Sequence, residues 1–211
     1  QELIDASAEL GISDVRFLGY PDDIPVIDKR IVSDIADVIG EIKPDVIITH
    51  WPYDSSPAHA VATQMTLLAA ETASTIRPGR PYAPTGGGEG VHAPQILYHA
   101  TAGRSNIMES LTIRIPTMII DISDVMKQKA RAMNKFKSQF YGESSPLQRK
   151  LTEAVDVSVA AINARVPYAE AFIAHHPQVS QTLPISEYAL EISRKSEAEK
   201  YEYMTQVLID G

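Results

Sequence analysis

The sequence predicts an α/β protein with a mostly parallel sheet and helices on both faces. Amphipathic helical patterns alternate along the chain with short runs of β-branched and aromatic residues, and such alternation is typical of βαβ units. The short runs are nearly continuous in apolar residues, as in strands that are buried on both faces of a parallel sheet. With 211 residues and 44% hydrophobic side chains, residues 1–211 are expected to form a single domain.

The first predicted elements are a helix and a strand. Residues 2–10 mix apolar and acidic side chains, and Gly11 follows as a helix C-terminal stop. Residues 15–18 are predicted to form a short strand, and the loop at its carboxyl end contains Asp22 and Asp23. A helix followed closely by a strand is half of a βαβ crossover. The pattern therefore predicts that at least one strand of the sheet precedes the first residue and that the domain is N-terminally incomplete.

A strand–loop–helix unit comes next. Residues 28–42 carry isoleucine or valine on one helical face. Residues 46–48 are predicted to form a buried strand of the parallel type. Ser56 is typical of an N-cap, with Pro57 at the first helical position. The helix that begins there is predicted to run to about residue 75.

The rest of the chain shows a looser succession of elements. A long connection rich in Pro and Gly is typical of a lid or a disordered segment, and it covers residues 77–94. Further strands are predicted at residues 95–99 and 118–121, and an extended segment at 168–173 leads to His175 and His176. A helix is predicted from its cap Ser123 through residue 138. A mostly helical stretch at 146–165 and a charged amphipathic helix at 186–208 are the other predicted elements.

Three side chains of the strand–loop–helix unit are candidates for chemistry. In α/β folds, sites are built where strands end and the following helices begin. His50 closes the strand, Asp54 lies in the loop, and His59 lies in the first helical turn. His59 could coordinate a divalent metal or have no ligand role, and His50 could contact a substrate or be a buried, hydrogen-bonded histidine. Asp54 could orient an imidazole, bind a sugar hydroxyl or form an Asx turn.

Other polar residues have equally open interpretations. Asp22 and Asp23 follow the preceding predicted strand, so in a parallel sheet they lie at the same edge as His50. They could bind substrate hydroxyls there or only solvate their loop. His175 and His176 are adjacent, and adjacent residues of an extended chain point to opposite sides, so joint ligation of one ion is not expected. His92 and His99 could be contacts of a lid or structural residues.

Composition limits the classes of function. The net charge of -8 argues against a general nucleic-acid binder. The chain has no cysteine, so any metal must be bound by His, Asp or Glu. No apolar run approaches the length of a bilayer span, and no signal peptide is visible. We therefore expect a cytoplasmic location and no nucleic-acid partner.

Several short motifs follow one another in a specific order. They are Glu2, Leu10-Gly11, FLGY at residues 17–20, Asp22, KPDVIITH at 43–50, the loop at 52–59, DIS at 121–123, Lys129, SQ at 138–139 and YAEAF at 168–172. This ordered set resembles the LmbE/PIG-L family of zinc-dependent N-acetyl sugar deacetylases. The resemblance implies a Rossmann-like, LmbE-like fold and a homo-oligomer. It also implies a small-molecule or glycoconjugate substrate that contains N-acetylglucosamine, whose N-acetyl group, a linear amide, is hydrolysed.

The resemblance also implies roles for individual residues. In the family, an Ala-His-Pro-Asp-Asp-Glu motif supplies two metal ligands and the general base, and a later His-Pro-Asp-His supplies a third ligand and an oxyanion-stabilising His. The first motif is absent here, and the second reads SPAH at residues 56–59. His59 is thus the implied ligand of Zn²⁺ or another divalent metal. Ser56 stands at the position of the catalytic His, His50 is the imidazole that could replace it, and Asp22 and Asp54 are the candidate substrate-binding residues.

Three interpretations follow from these observations. The chain could belong to a metal-dependent deacetylase whose other ligands lie upstream. It could be a non-catalytic relative that binds a sugar or regulates a partner, because the family's paired His and Asp are Ser56 and Ala58 here and Phe136 stands where family members often have a His. It could also be an α/β small-molecule-binding protein that uses no metal.

Overall fold

The structure, a computed structural model, describes residues 1–23, 26–54, 56–74, 93, 95–99, 118–139, 141, 161 and 164–206. Its helices are α1 (Glu2–Glu9), α2 (Lys29–Ile42), α3 (Pro57–Ser74), α4 (Met126–Met133), α5 (Glu187–Arg194) and α6 (Glu197–Met204). Its strands are β1 (Val46–Thr49), β2 (Gln95–His99), β3 (Met118–Asp121) and β4 (Ala169–Ala174), and short 3-10 helices cover Ser123–Val125 and Lys137–Gln139.

The four strands form one mixed sheet in the order β1-β2-β4-β3. β1 runs parallel to β2, with Val46 opposite Gln95 and Thr49 opposite Tyr98. β4 runs antiparallel to β2, with Leu97 opposite Ala174. The predicted α/β class is confirmed, and the sheet is mixed because β4 enters it in the reverse direction.

The chain divides into two compact units. The first unit comprises Gln1–Arg16, Met118–Ala171 and Gln178–Gly211, and the second comprises Phe17–Thr117 and Phe172–Pro177. Each unit has a buried core of its own among the described residues. The single domain expected over residues 1–211 stays a prediction.

In the second unit, α2 packs against α3 and thereby holds the start of α3 near the end of β1. The Asp28 carboxylate accepts a hydrogen bond from the Arg30 amide and caps α2, while Lys43 ends the helix in a left-handed conformation with φ 52°. Ile31 and Ile39 of the apolar face predicted for α2 are buried and meet small and flexible side chains of α3, whereas Ile42 at the end of the helix is 50% exposed. The cluster consists of Ile31, Val32, Ala36, Ile39, Met65, Ala69 and Ala73.

Thr63 joins α3 to the end of β1. Its hydroxyl donates a hydrogen bond to the His50 carbonyl at 2.9 Å and lies 3.3 Å from the Thr49 hydroxyl. The side chain is fully buried, with 0% of its surface exposed. A buried hydroxyl is favourable only when it is hydrogen-bonded, so this contact fixes the backbone of His50 relative to α3.

Replacing Thr63 with Val is expected to lower the free energy of unfolding by about 1–3 kcal/mol, because the His50 carbonyl loses its donor while the volume hardly changes. Urea unfolding measures the effect. Thr66→Val is the matched control, since the Thr66 hydroxyl bonds only to the Ala62 carbonyl of its own helix, and a change within about 0.5 kcal/mol is expected there. Equal losses in the two variants would contradict the role assigned to Thr63.

The first unit is stabilised by contacts between residues that lie far apart in the sequence. α1 packs with α4, and the Gln128 side-chain amide donates to the Glu9 carbonyl at 2.7 Å. Three contacts involve motif residues of the resemblance. Ser138 donates to the Glu2 carboxylate, Lys129 pairs with the Glu170 carboxylate at 2.7 Å, and the Ser123 hydroxyl lies 3.1 Å from the Tyr168 amide nitrogen, which donates to it. These motif residues therefore stabilise the fold of the unit.

Two predictions about strands are wrong. Residues 15–18 adopt no strand, and Phe17 and Leu18 are exposed. A strand needs a neighbouring strand for its backbone hydrogen bonds, and this segment is not among the strands of the described sheet. β1 forms as predicted and is parallel to β2, but Val46 and Ile48 are exposed. Side chains alternate between the two faces of a strand, and only the face with Ile47 packs against the α2–α3 core.

Two helix predictions also need correction. Ser123 does not cap a helix that runs to residue 138, because it lies in a 3-10 turn and α4 extends only over Met126–Met133. The C-terminal helix predicted at residues 186–208 is two helices. Lys195 adopts an extended conformation, and Ser196 then caps α6 through a capping box with Glu199. The connection predicted at residues 77–94, the helical stretch at 146–165 and His92 lie largely or wholly outside the described residues.

Candidate functional site

The loop between β1 and α3 is shaped by the Asp54 carboxylate. One oxygen, Oδ1, accepts a hydrogen bond from the Ser56 amide at 2.8 Å, which makes an Asx turn. The other oxygen, Oδ2, lies 3.1 Å from Nδ1 of His59. The Asp54 amide also donates to the Trp51 carbonyl at 3.1 Å. A single carboxylate therefore forms the turn and orients the imidazole of His59.

His50, Asp54 and His59 come together into one group. One ligand atom from each of the three residues lies within 4.8 Å of the others, and the described residues contain no other such group of three. The two imidazole rings are stacked, with centroids 4.1 Å apart and planes 6° from parallel. Asp54 is half-buried, while 46% of the His59 side chain is exposed. His50 at the end of β1, Asp54 in the loop and His59 in the first turn of α3 are thus neighbours in space.

The local environment favours the neutral form of His50. Loss of water around the ring lowers its pKa below 6.5, and the nearby imidazoles of His59 and His99 lower the pKa further, while the Asp54 carboxylate acts in the opposite direction. A neutral imidazole has a free lone pair, which can bind a metal ion or accept a proton.

The group fits a divalent metal in its chemistry and in its number of donors. Two imidazoles and a carboxylate are a donor set that zinc uses, and catalytic zinc sites use three protein ligands. The stacked rings impose one condition. The lone pair of an imidazole nitrogen lies in the plane of its ring, so two parallel, stacked rings cannot both point at one ion. One ring must turn about its Cβ–Cγ bond, and the exposure of His59 leaves room for that rotation.

An aromatic cluster extends from this loop into the sheet. The Trp51 ring meets the edge of Tyr98, with centroids 5.8 Å apart and planes at 83°. The Tyr98 hydroxyl is hydrogen-bonded to Nδ1 of His175, and Tyr53 meets Trp51 edge-on at 5.7 Å. The sequence analysis missed Trp51, Tyr53 and Tyr98. The available signal was two aromatic residues in a polar loop between His50 and Asp54.

The other predicted residues are more dispersed. Ser56 directly precedes α3 as predicted, and its carbonyl accepts the hydrogen bond of the Ala60 amide. Asp22 lies in an exposed turn and is not a member of the His50 group. The rings of His175 and His176 have centroids only 4.1 Å apart, so the expectation that they point to opposite sides is wrong. The chain bends at these two residues and is not extended there.

One family model and several solved structures are similar to this chain. Its α/β fold with a mixed sheet is similar to that of LmbE-like deacetylase structures. The model of the PIG-L family, described as GlcNAc-PI de-N-acetylase, matches residues 1–70. This match confirms the resemblance over a segment that contains His50, Asp54 and His59.

Three solved structures have a similar fold. The conserved protein TT1542 from Thermus thermophilus is 21% identical, with a TM-score of 0.62 over 85% of this chain and 73% of that chain. The 4-carboxy-2-hydroxymuconate hydratase GalB from Pseudomonas putida is 21% identical, with a TM-score of 0.60 over 87% and 73%. The N,N'-diacetylchitobiose deacetylase from Pyrococcus horikoshii is 18% identical, with a TM-score of 0.67 over 82% and 61%.

The length and the hydropathy of the helices bear on membrane insertion. None of the helices in the described parts of the chain combines the length and the apolar character that crossing a bilayer requires.

Proposed function

We propose that the protein is a metal-dependent hydrolase of the deacetylase type, which removes the N-acetyl group of an N-acetylglucosamine-containing substrate. The observation that carries this proposal is the convergence of His50, Asp54 and His59 at the end of β1, within the segment that matches the PIG-L model. The similarity of the fold to that of N,N'-diacetylchitobiose deacetylase also supports a deacetylase activity. Zinc is the proposed metal because the imidazole of His59 is a donor that suits it.

His59 would hold the metal and Asp54 would position His59. The Asp54 carboxylate engages Nδ1 of His59, which leaves Nε2 as the ligand atom, and a carboxylate behind a metal-binding histidine fixes its orientation and raises its basicity. When bound, the cation supplies Lewis-acid activation of a water molecule and of the amide carbonyl. Both Asp54 oxygens are engaged within the loop, so its proposed task is positioning, and Asp22 remains the candidate for binding a substrate hydroxyl.

His50 and Ser56 are the proposed catalytic groups. The lowered pKa of His50 favours its neutral imidazole, which can take the proton of the attacking water and later give it to the leaving amine. The water oxygen bonds to the acyl carbon, the C–N bond breaks, and acetate and the protonated amine are released. The Ser56 hydroxyl stands where the resemblance expects an oxyanion donor, and a hydroxyl can donate one hydrogen bond there.

The proposed task of Asp54 predicts the behaviour of Asp54→Asn. The amide retains an oxygen for the Ser56 amide and therefore keeps the turn, but its NH₂ group would face Nδ1 of His59. Zinc affinity is expected to fall about 10–100-fold, as it does when a ligand's partner is lost, with little change in unfolding. Calorimetric zinc titration measures the affinity. Asp37→Asn, an exposed change on α2, is the control, and equal affinities in both variants would argue against the assignment.

A second candidate function is a non-catalytic sugar-binding protein. Two observations favour it: the imidazole rings are parallel, and Ala58 replaces the carboxylate of the family motif. A metal-free binding protein, whatever its small-molecule ligand, is a third possibility. A homo-oligomeric state and a cytoplasmic location remain predictions.

One experiment separates these candidates. The protein is stripped with a chelator, reloaded with Zn²⁺ and assayed for acetate release from N,N'-diacetylchitobiose and from N-acetylglucosamine glycosides. The proposal expects one zinc per chain and acetate release that disappears on stripping and returns on reloading. Sugar binding without zinc or acetate would support the second candidate. The absence of zinc, acetate release and sugar binding together would support the third.

A further inference from the structure

We propose that Trp51 and Tyr53 form an aromatic platform that binds the sugar ring of the substrate beside His50 and His59. This inference rests on the proposed function, because it assigns the part of the same site that recognises the substrate. The platform consists of the rings of Trp51 and Tyr53, whose centroids lie 5.7 Å apart with planes at 62°.

The rings of Trp51 and Tyr53 lie close in the sequence to the candidate metal site. Trp51 and Tyr53 lie in the loop that His50 and Asp54 bound, so any molecule that reaches the imidazoles passes close to them. Tyr53 is 72% exposed, and its ring contributes little to the buried core of its unit. A large exposed aromatic ring beside a candidate metal site is more easily explained by a ligand than by packing.

The Trp51 ring is held in place by the residues that it packs against. Trp51 rests on the edge of Tyr98, and Tyr98 is buried. Its hydroxyl is held by Nδ1 of His175, and the His175 amide donates to the Ile96 carbonyl at 2.9 Å. The Trp51 ring is therefore anchored to β2 and to the end of β4. A ring that is held in place before binding loses little conformational entropy when a ligand arrives.

The chemistry of the surroundings indicates a sugar as the ligand. A pyranose ring has an apolar C–H face and a polar hydroxyl edge. The face of an aromatic ring is electron-rich and accepts C–H groups, while the imidazoles of His50 and His59 and the Asp54 carboxylate supply polar groups within the same loop. Ligand sites combine apolar walls with a few polar groups in this manner. An acetamido sugar stacked on the platform would present its amide toward the histidines.

Trp51 provides a direct readout, because it is the only tryptophan of the chain. Its fluorescence is titrated with N,N'-diacetylchitobiose in the stripped and the zinc-loaded protein. We expect a saturable change in the wild type, an affinity about tenfold weaker in Tyr53→Ala, and nearly full affinity in Tyr53→Phe, which keeps the ring. Tyr201→Ala is the matched control, because Tyr201 is similarly exposed at 67% and lies in the first unit. Its affinity should not change.

The steady-state kinetics of acetate release complete the test. In Tyr53→Ala, KM is expected to rise about tenfold while kcat changes little. Acetate release with unchanged KM and unchanged sugar affinity in Tyr53→Ala would overturn the platform and leave the proposed function intact. A fluorescence change that Tyr53→Ala weakens, in a protein that releases no acetate, would overturn the proposed function and leave the platform intact. No response of Trp51 to the sugar in the wild type would overturn the platform.

Discussion

Replacing His59 with Ala is expected to lower zinc affinity by more than about 100-fold, beyond the 10–100-fold cost of losing a ligand's partner, and to abolish acetate release. The exposed ring of His59 has Asp54 at Nδ1 and His50 stacked on it. Its removal takes away the ligand that the carboxylate orients. His50, the other imidazole of the group, is assigned to proton transfer, so the group then keeps no assigned metal ligand. Zinc content after dialysis and acetate release measure the two effects.

The control for His59→Ala is His176→Ala. His176 is an exposed histidine of the same unit that lies outside the group with His50. Its replacement removes a surface imidazole outside the group, so it reports non-specific zinc binding. Full zinc content in His59→Ala, or an equal loss in both variants, would contradict the assignment of His59 as a ligand.

Replacing Met126 with Ala is expected to lower the free energy of unfolding by about 2–5 kcal/mol, the range for truncation of a large core side chain. Met126 is 0% exposed and packs with Ile122 and Tyr168 in the first unit. Tyr168 also exchanges hydrogen bonds with Ser123, which limits how far the core can collapse around the cavity. The loss should therefore lie in the upper part of the range.

Urea unfolding tests this prediction. Val125→Ala is the control, because Val125 is the preceding residue and is 48% exposed, and a change within about 0.5 kcal/mol is expected. A loss in Met126→Ala that does not exceed that of the control would show that the cluster of Ile122, Met126 and Tyr168 is not a tightly packed core.

Local signals predicted the elements around the site well. The spacing of the apolar residues predicts α2, and the Ser56-Pro57 pair predicts the start of α3. Both signals are local, because they come from residues in or next to the helix that they predict. The observed bounds, Lys29–Ile42 and Pro57–Ser74, differ from the predicted ones by about one residue. The capping box of Ser196 and Glu199 was equally readable, but the continuous charge pattern concealed the break between α5 and α6.

Features that depend on partners distant in the sequence could not be predicted in this way. Residues 15–18 have the composition of a strand, yet strand formation depends on a neighbour as much as on propensity. The exposure of Val46 and Ile48 likewise depends on what covers the second face of β1. The support of Trp51 by Tyr98 and His175 requires the pairing of β2 with β4, which no local pattern reveals.

The candidate site was predictable in part. The sequence placed His50, Asp54 and His59 at one rim because a strand end and a helix start must meet there. One Asp54 oxygen contacts the Ser56 amide and the other contacts His59, and this arrangement depends on the loop geometry. The stacking of the His50 and His59 rings depends on their side-chain rotamers. The motif identified the residues, and the structure specifies their contacts.

The central claim is that His59, which Asp54 orients beside His50, is the ligand of a metal ion. Anomalous diffraction from a crystal of the zinc-loaded protein, measured on both sides of the zinc absorption edge, tests it most directly. The expected result is one strong peak within ligand distance, about 2.0–2.1 Å, of a His59 ring nitrogen. A peak at another place, or no peak at all, would contradict the assignment of His59.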